Sequence, residues 1–171
     1  GLITPGFVAA IKRHLPRQGR RSLSPILLDS RYALLRYRGL TVAAPNESEV
    51  EEALGITIGD DLRVLERAGQ AILKRTRMPA ILITRGSRGM ALFEPGQKTQ
   101  HIPIHGSDEV ADVTGAGDTV IATMAVALSV GASYLEAALL ANYAGGLVVM
   151  KRGTATVGAV DLQSAVDGGL V

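Results

Sequence analysis

Short, continuously apolar segments alternating with helical patterns are the feature that most constrains the fold of this chain. Three such segments cover residues 25–29, 40–44 and 80–84. Parallel strands that are covered on both faces have this composition, because neither face of the sheet meets water. The alternation of these strands with helices predicts an α/β fold whose central sheet is mostly parallel.

Capping signals place the helices between the strands. Thr4 and Pro5 are a helix-start pair, because the threonine side chain caps free amides and proline has no amide to leave unbonded. The predicted helices run from residue 5 to about 15, from 46 to 55, from 60 to 75, from 118 to about 130, and from 133 toward 150. A turn at residues 85–89 and the Pro95-Gly96 pair predict two further paired strands, at 90–93 and 99–104.

Length and composition favour a single globular domain. The 171 residues are 47% apolar and 20% charged, which is typical of soluble folded proteins and not of disordered ones. The absence of cysteine excludes disulfides, thiolate catalysis and cysteine-ligated zinc, and it fits a cytoplasmic protein. The longest uncharged apolar stretch, residues 119–132 as judged from the sequence, is short for a membrane span, so no membrane association is expected.

Positive charge is concentrated at the front of the chain. Residues 1–45 carry eight Lys and Arg against one acid, while the remainder carries ten against fifteen. Clustered cations attract polyanions, so these residues raise nucleic-acid binding as one reading. No aromatic stacking platform accompanies them, and a solvated helix end and loop is the reading that we favour.

The segment DVTGAGD at residues 112–118 carries the strongest chemical signal. Its small residues, Gly115, Ala116 and Gly117, stand at a helix start, where unobstructed backbone amides can point at an anion. Asp118 follows at once and would lie beside a bound phosphoryl group, where a carboxylate can accept the proton of an attacking hydroxyl. The structural alternative is a tight connection in which Asp118 complements the helix dipole.

These motifs resemble those of the ribokinase-like (PfkB) carbohydrate kinases, and the resemblance covers nearly the whole chain. Residues 112–119 are similar to that family's second signature, in which the final aspartate is the catalytic base and Gly-Ala-Gly forms the anion hole. Residues 151–156, read together with it, resemble most the heptose-7-phosphate kinase branch. The resemblance implies a three-layer α/β/α fold and ATP-dependent phosphorylation of a sugar or sugar-phosphate hydroxyl.

The resemblance also implies a nucleotide and metal site. Asn46 and Glu49 look like the family's Asn-x-x-Glu motif, which helps to hold Mg²⁺, although a helix capping box explains the same pair. Asp112 would position the loop or contribute to a monovalent cation site. The residues expected to contact the nucleotide are Thr84, Gly86, Gly89, Thr114 and Asn142.

Four of the five residues expected to contact the nucleotide also have a purely structural explanation. Thr84, Gly86 and Gly89 would also suit an ordinary turn after a strand, and Asn142 would also satisfy a buried backbone group. Asp29 ends a strand on the side where α/β sheets usually bind ligands. The three histidines show no spacing that is typical of metal ligands.

Family members are longer than this chain, so the resemblance implies that residues 1–171 are the C-terminal nucleotide-binding and catalytic portion of a kinase domain. The substrate and lid portion would then lie in a missing N-terminal half or in a partner chain. The positive mean hydropathy of +0.23 fits a surface that is normally covered, and we expect a homo-oligomer. A non-catalytic nucleotide-binding or scaffolding module is the alternative function.

Overall fold

A five-stranded sheet forms the centre of the molecule. The computed structural model describes residues 3–15, 17–18, 21–22, 24–29, 33–106, 114–151, 153 and 155–168. The strands of the described residues are, in chain order, β1 (Arg17–Gln18), β2 (Arg21–Ser22), β3 (Leu27–Leu28), β4 (Val42–Ala43), β5 (Ala80–Thr84), β6 (Met90–Phe93) and β7 (Gln100–Ile102). Strands β3 to β7 are neighbours in chain order, while β1 and β2 pair antiparallel in a separate two-stranded sheet.

The sheet is mixed. Strands β3, β4 and β5 are parallel, as the apolar segments predict, and β6 and β7 continue the sheet antiparallel. The connections explain the change of direction. The link from β4 to β5 contains two helices and can return the chain to the same end of the sheet, while β5, β6 and β7 are joined by short turns that reverse it.

Helices cover both faces of the sheet. They are α1 (Pro5–His14), α2 (Glu47–Leu54), α3 (Leu62–Thr76), α4 (Ala116–Ser129), α5 (Tyr134–Val149) and α6 (Ala159–Gly168). Strand residues alternate between the faces, so that Ile81 and Ile83 pack in a core with α2 and α3, whereas Ala80 and Leu82 pack in a second core with α4 and α5. The α/β class and the three layers are therefore confirmed.

The capping signals are confirmed at atomic detail. The Thr4 hydroxyl accepts a hydrogen bond from the Phe7 amide at 3.2 Å, and α1 begins at Pro5. Asn46 and Ser133 each form a full capping box, with Glu49 and Glu136 respectively. Helix α2 ends at Gly55, whose φ of 65° is left-handed.

Some elements carry too weak a signal to be predicted from the sequence. Helix α6 was not expected, and it has no fully buried residue. The short β1–β2 pair and a 3₁₀ helix at Leu34–Arg36 were also not expected. In the described ranges, no helix is long and apolar enough to cross a membrane.

Candidate phosphate and nucleotide cleft

The carboxyl ends of β4 and β5 bring two predicted motifs side by side. Asn46 and Thr84 form a parallel bridge, and the Thr84 amide donates to the Pro45 carbonyl at 3.0 Å. The segment that starts α2 and the turn that follows β5 therefore leave the same edge of the sheet. Ligands of open α/β sheets bind outside this edge.

The turn at residues 84–89 is a 3₁₀ turn closed by its own backbone. The Arg85 amide donates to the Gly89 carbonyl at 2.8 Å, and the Gly89 amide donates to the Gly86 carbonyl at 3.0 Å. Gly86 has φ 58° and Gly89 has φ 75°, values that favour glycine. A Cβ at Gly89 would also lie 2.1 Å from the Ile102 carbonyl oxygen, so packing alone requires glycine at this position.

Helix α4 begins at a glycine cap. Gly115 caps the helix with φ 80° and no side-chain cap, and its carbonyl accepts from both the amide and the hydroxyl of Thr119 at 3.0 Å. The amides of Ala116, Gly117 and Asp118 belong to the first turn, which has no helical acceptors. In the described part of the chain, no backbone carbonyl outside the helix accepts a hydrogen bond from them. The loop residues 107–113, including Asp112, lie outside the described residues.

Three elements meet around one cleft of about 170 Å³. The turn after β5 contributes Thr84, Gly86 and Gly89, and helix α4 contributes Ala116 and Gly117. Helix α5 contributes its small-residue face. The other lining residues are Ser87, Met90, Ile104, Val120, Asn142, Gly145, Gly146 and Val149.

Helix α5 holds the segment after β7 against the cleft. Asn142 is buried, and its Nδ2 donates to the Pro103 carbonyl at 2.9 Å. Gly146 lets His105 approach closely, since a Cβ there would lie 2.2 Å from the His105 carbonyl oxygen. The His105 and Tyr143 rings also pack at 4.1 Å between centroids. Asn142 thus hydrogen-bonds a buried backbone carbonyl, as its structural explanation predicted, and it also lines the cleft.

Several predicted residues lie near the cleft without lining it. Gly115, Thr114 and Asp118 fall at the α4 N-terminus, and the Asp118 side chain is exposed one residue after Gly117. Asn46 and Glu49 cap α2, so Asn46 Oδ1 and Glu49 Oε2 are each engaged by a backbone amide, at 2.9 and 3.0 Å. Among the described residues, no three or more His, Cys, Asp or Glu side chains come close enough to form a metal site by themselves.

An ion-pair network beside the turn was not predicted. Arg85 and Arg88, on either side of the glycine-serine pair, both bind the Glu47 carboxylate, at 2.7 and 2.6 Å. Hydrogen bonding to Asp60 and the nearby Glu47 carboxylate raise the pKa of Arg88 above its ordinary value. The sequence does show basic residues in the glycine turn and an acidic residue at the start of α2. It does not show that these two segments meet.

Comparison with known proteins places the chain in a family. Residues 8–160 match the pfkB family carbohydrate kinase. The chain is 45% identical over 164 residues to the Bifunctional protein HldE of Methylococcus capsulatus, which covers 95% of this chain and 34% of that protein. It is 42% identical over 165 residues to the Bifunctional protein HldE of Geobacter sulfurreducens, with coverages of 95% and 32%. The chain spans about a third of the length of these curated relatives.

Solved structures show the same fold. Arabidopsis thaliana ribokinase, in complex with ribose and ATP, is similar with a TM-score of 0.71 at 27% identity, over 83% of this chain and 47% of that one. The tetrameric inhibited form of Escherichia coli phosphofructokinase-2 has a TM-score of 0.76 over 96% of this chain and 50% of that one, and at 17% identity it shows the fold alone. With a match that takes in most of its length, this chain belongs to the pfkB family of carbohydrate kinases.

Proposed function

We propose that this chain is the C-terminal, nucleotide-binding and catalytic portion of an ATP-dependent kinase that phosphorylates a sugar or sugar-phosphate hydroxyl. The observation that carries the proposal is the convergence of three small-residue surfaces on one cleft: the turn at 84–89, the α4 N-terminus and the α5 face. Glycine-rich turns and helix N-termini that face a cleft supply backbone amides to phosphate oxygens.

In this proposal Asp118 is the general base. It takes the proton of the acceptor hydroxyl as that oxygen forms a bond to the γ-phosphorus and the bond from phosphorus to the bridging oxygen of ADP breaks. The amides of the N-cap Gly115 and of Ala116 and Gly117 in the first turn stabilise the negative charge of the transferring group. A Cβ added at Gly117 would meet nothing within 4 Å, so no packing contact in the described part of the chain requires glycine there.

The nucleotide contacts are proposed from the lining of the cleft. The 84–89 turn would hold phosphates through Thr84 and the backbone at Gly86 and Gly89, with Thr114 nearby at the start of α4. Asn142 uses its Nδ2 on Pro103, which leaves its Oδ1 as the atom that can meet a base. The apolar neighbours of Asn142, Ile104 and Val149, suit a flat heterocycle.

Asn46 and Glu49 are the proposed magnesium residues. The capping box takes one oxygen from each side chain, while Glu49 Oε1 accepts no hydrogen bond within the described residues and can still reach a hydrated cation. Oxygen donors with few direct protein ligands are what Mg²⁺ prefers when it is bound with substrate phosphates. Bound magnesium neutralises charge on the phosphates. A monovalent cation near Asp112 is a further proposal.

The acceptor and the domain organisation are also proposals. The relatives named Bifunctional protein HldE and the resemblance of residues 151–156 favour heptose 7-phosphate as the acceptor. Because the chain spans about a third of those relatives, we propose that sugar contacts and a lid come from an N-terminal portion or a partner chain. A cytoplasmic homo-oligomer is the proposed working form.

The Asp118→Asn variant tests the base role in the kinase restored by joining this chain to the N-terminal portion of a relative. We expect phosphoryl transfer to fall by at least about 10²-fold, the lower range for a general base, with ATP affinity unchanged. Transfer by coupled assay and ATP binding by calorimetry measure the two effects. Equal activity in the variant would remove Asp118 from the base role.

The same preparation separates a kinase from a non-catalytic module. The alternative finds support in the position of Asp118, which is exposed and does not line the cleft. ATP binding without transfer to any sugar phosphate, even in the restored kinase, would favour the module. Absence of ATP binding would reject both.

A further inference from the structure

We propose that Arg85 is a positioning residue, which holds the 84–89 turn in the shape that nucleotide phosphates require. The inference rests on the proposed function. It assigns Arg85 no contact with the nucleotide, although an arginine beside a glycine turn would first be taken for a phosphate ligand.

The Arg85 guanidinium makes two hydrogen bonds to residues that do not line the cleft. Its Nε donates to Glu47 Oε2 at 2.7 Å, and its Nη2 donates to the Gly59 carbonyl at 2.8 Å. The side chain is 6% exposed, and that of Glu47 is 12% exposed. A planar fork held at two points by separate segments fixes the backbone from which it extends.

Arg88 makes a weaker copy of these contacts at the other end of the turn. It donates to Glu47 Oε1 at 2.6 Å and to the Gly59 carbonyl at 2.7 Å, and it pairs with Asp60 at 2.8 Å. Its side chain is 40% exposed, so water competes for these bonds. Of the two arginines, Arg85 therefore provides the more rigid anchor.

The residues between the two arginines are those that face the cleft. Gly86 and Ser87 are exposed and line it, and an added Cβ at Gly86 would meet nothing within 4 Å. Apart from the three backbone bonds that close the turn on itself, its described anchors are Arg85, Arg88 and the paired backbones of β5 and β6 at its two ends. Loss of Arg85 would free this short segment, and the phosphate-facing amides would lose their alignment.

The base side of the cleft is held independently. Asn142 binds Pro103, and Gly146 packs against His105, and none of these groups contacts Arg85 or Glu47. Arg85 also ties the turn to Glu47, which lies between the proposed magnesium residues Asn46 and Glu49. Its loss should therefore weaken recognition of phosphates and leave recognition of the nucleoside intact.

The test compares two ligands on the 171-residue chain by calorimetry: ATP with Mg²⁺, and adenosine. Arg85→Met is expected to weaken ATP binding by about tenfold, because the misaligned turn loses roughly one charge-assisted hydrogen bond to the phosphates. Adenosine binding should weaken by less than about twofold. Arg85→Lys keeps the pair with Glu47 and gives up the carbonyl bond, so ATP affinity should recover to within about fivefold of wild type. Asp60→Asn removes an ion pair with Arg88 in which the Asp60 side chain is 96% exposed, and it is the matched control, with both affinities unchanged.

Three results would overturn the inference: unchanged ATP affinity in Arg85→Met, a parallel loss of both ligands, or no recovery in Arg85→Lys. If Arg85→Met does not fold by circular dichroism, Glu47→Gln takes its place, because it keeps side-chain size and removes the charge. An ATP affinity equal to wild type in Glu47→Gln would then count against the inference. A wild-type chain that binds neither ligand rejects the proposed function, whereas ATP binding that ignores Arg85 rejects the positioning role alone.

Discussion

At the scale of residues, the glycines around the cleft are required for different reasons. Gly89 and Gly146 lie against backbone atoms and leave no room for a side chain. A Cβ added at these positions would lie 2.1 and 2.2 Å, respectively, from a carbonyl oxygen. Gly115 and Gly86 have left-handed φ values. Gly117 has neither constraint in the described structure. At such a position, where an added Cβ would face open space in a cleft, the close approach of a ligand is the remaining physical reason for glycine.

Gly146→Ala should destabilise the protein, against the usual effect of alanine in a helix. The new methyl group would meet the His105 carbonyl, and overpacking of this kind costs about 1–3 kcal/mol. Gly6→Ala in α1 is the control, since its Cβ would lie 3.9 Å from the nearest atom, and it should stabilise by roughly 0.4–1 kcal/mol. Urea unfolding measures both, and a Gly146→Ala chain as stable as wild type would show that the segment after β7 yields easily.

At the scale of elements, the capping boxes explain where α2 and α5 begin. In α5 the Ser133 hydroxyl and amide donate to Glu136 Oε2 at 2.7 and 2.8 Å, and the Glu136 amide donates back to the hydroxyl at 3.2 Å. The hydrogen bond from the Ser133 hydroxyl and, to a smaller extent, the one from the Ser133 amide lower the pKa of Glu136 below its ordinary value near 4.5. Helix α5 carries the small-residue face of the cleft, so its start also sets the position of that face.

Glu136→Gln should therefore have a pH-dependent effect on stability. A carboxylate with a lowered folded-state pKa contributes stability above its unfolded pKa, and the contribution is lost as pH falls through the folded value. The variant should be less stable than wild type at pH 7, and the difference should close as the solution is acidified below pH 4.5. Urea unfolding across this range measures it.

Ser133→Ala provides the control for that measurement. Without the hydroxyl donor, the Glu136→Gln substitution should change stability less at pH 7 than it does in the wild-type background. An effect of the same size in both backgrounds, or one that does not vary with pH, would contradict the capping explanation.

At the scale of the whole molecule, the sheet carries the cleft at one edge and the packing cores on its two faces. Ten apolar residues and glycines line the cleft, and Thr84, Ser87 and Asn142 supply its polar side chains. A sugar offers many hydroxyl groups, and recognition of them needs several convergent hydrogen-bonding groups. This lining favours our proposal that the described cleft binds the nucleotide and not the acceptor sugar.

The 171-residue chain tested by itself should accordingly show little or no transfer to a sugar phosphate. Positioning of the acceptor supplies much of the rate of phosphoryl transfer, and the described residues do not provide it. A coupled assay with ATP, Mg²⁺ and heptose 7-phosphate measures transfer, with the restored kinase as the positive control. Robust turnover by the chain alone would contradict this prediction.

The sequence by itself determined the features that depend on neighbouring residues. Strand β5, the capped starts of α1, α2 and α5, and the hairpin formed by β6 and β7 all follow from local pattern, as does the family to which the chain belongs. Caps and turns are decided by residues three or four positions apart, so a sequence displays them directly. The roles of Asp118, Asn46 and Glu49 stay predictions.

Only the tertiary structure decided what depends on distant residues. The partners of Arg85 lie 38 and 26 positions away, and Asn142 reaches a carbonyl 39 positions away. The meeting of α4, α5 and the 84–89 turn at one cleft arises in the same way. Contacts between remote segments depend on how whole elements pack, because packing and charge pairing act through space and leave no periodicity along the chain.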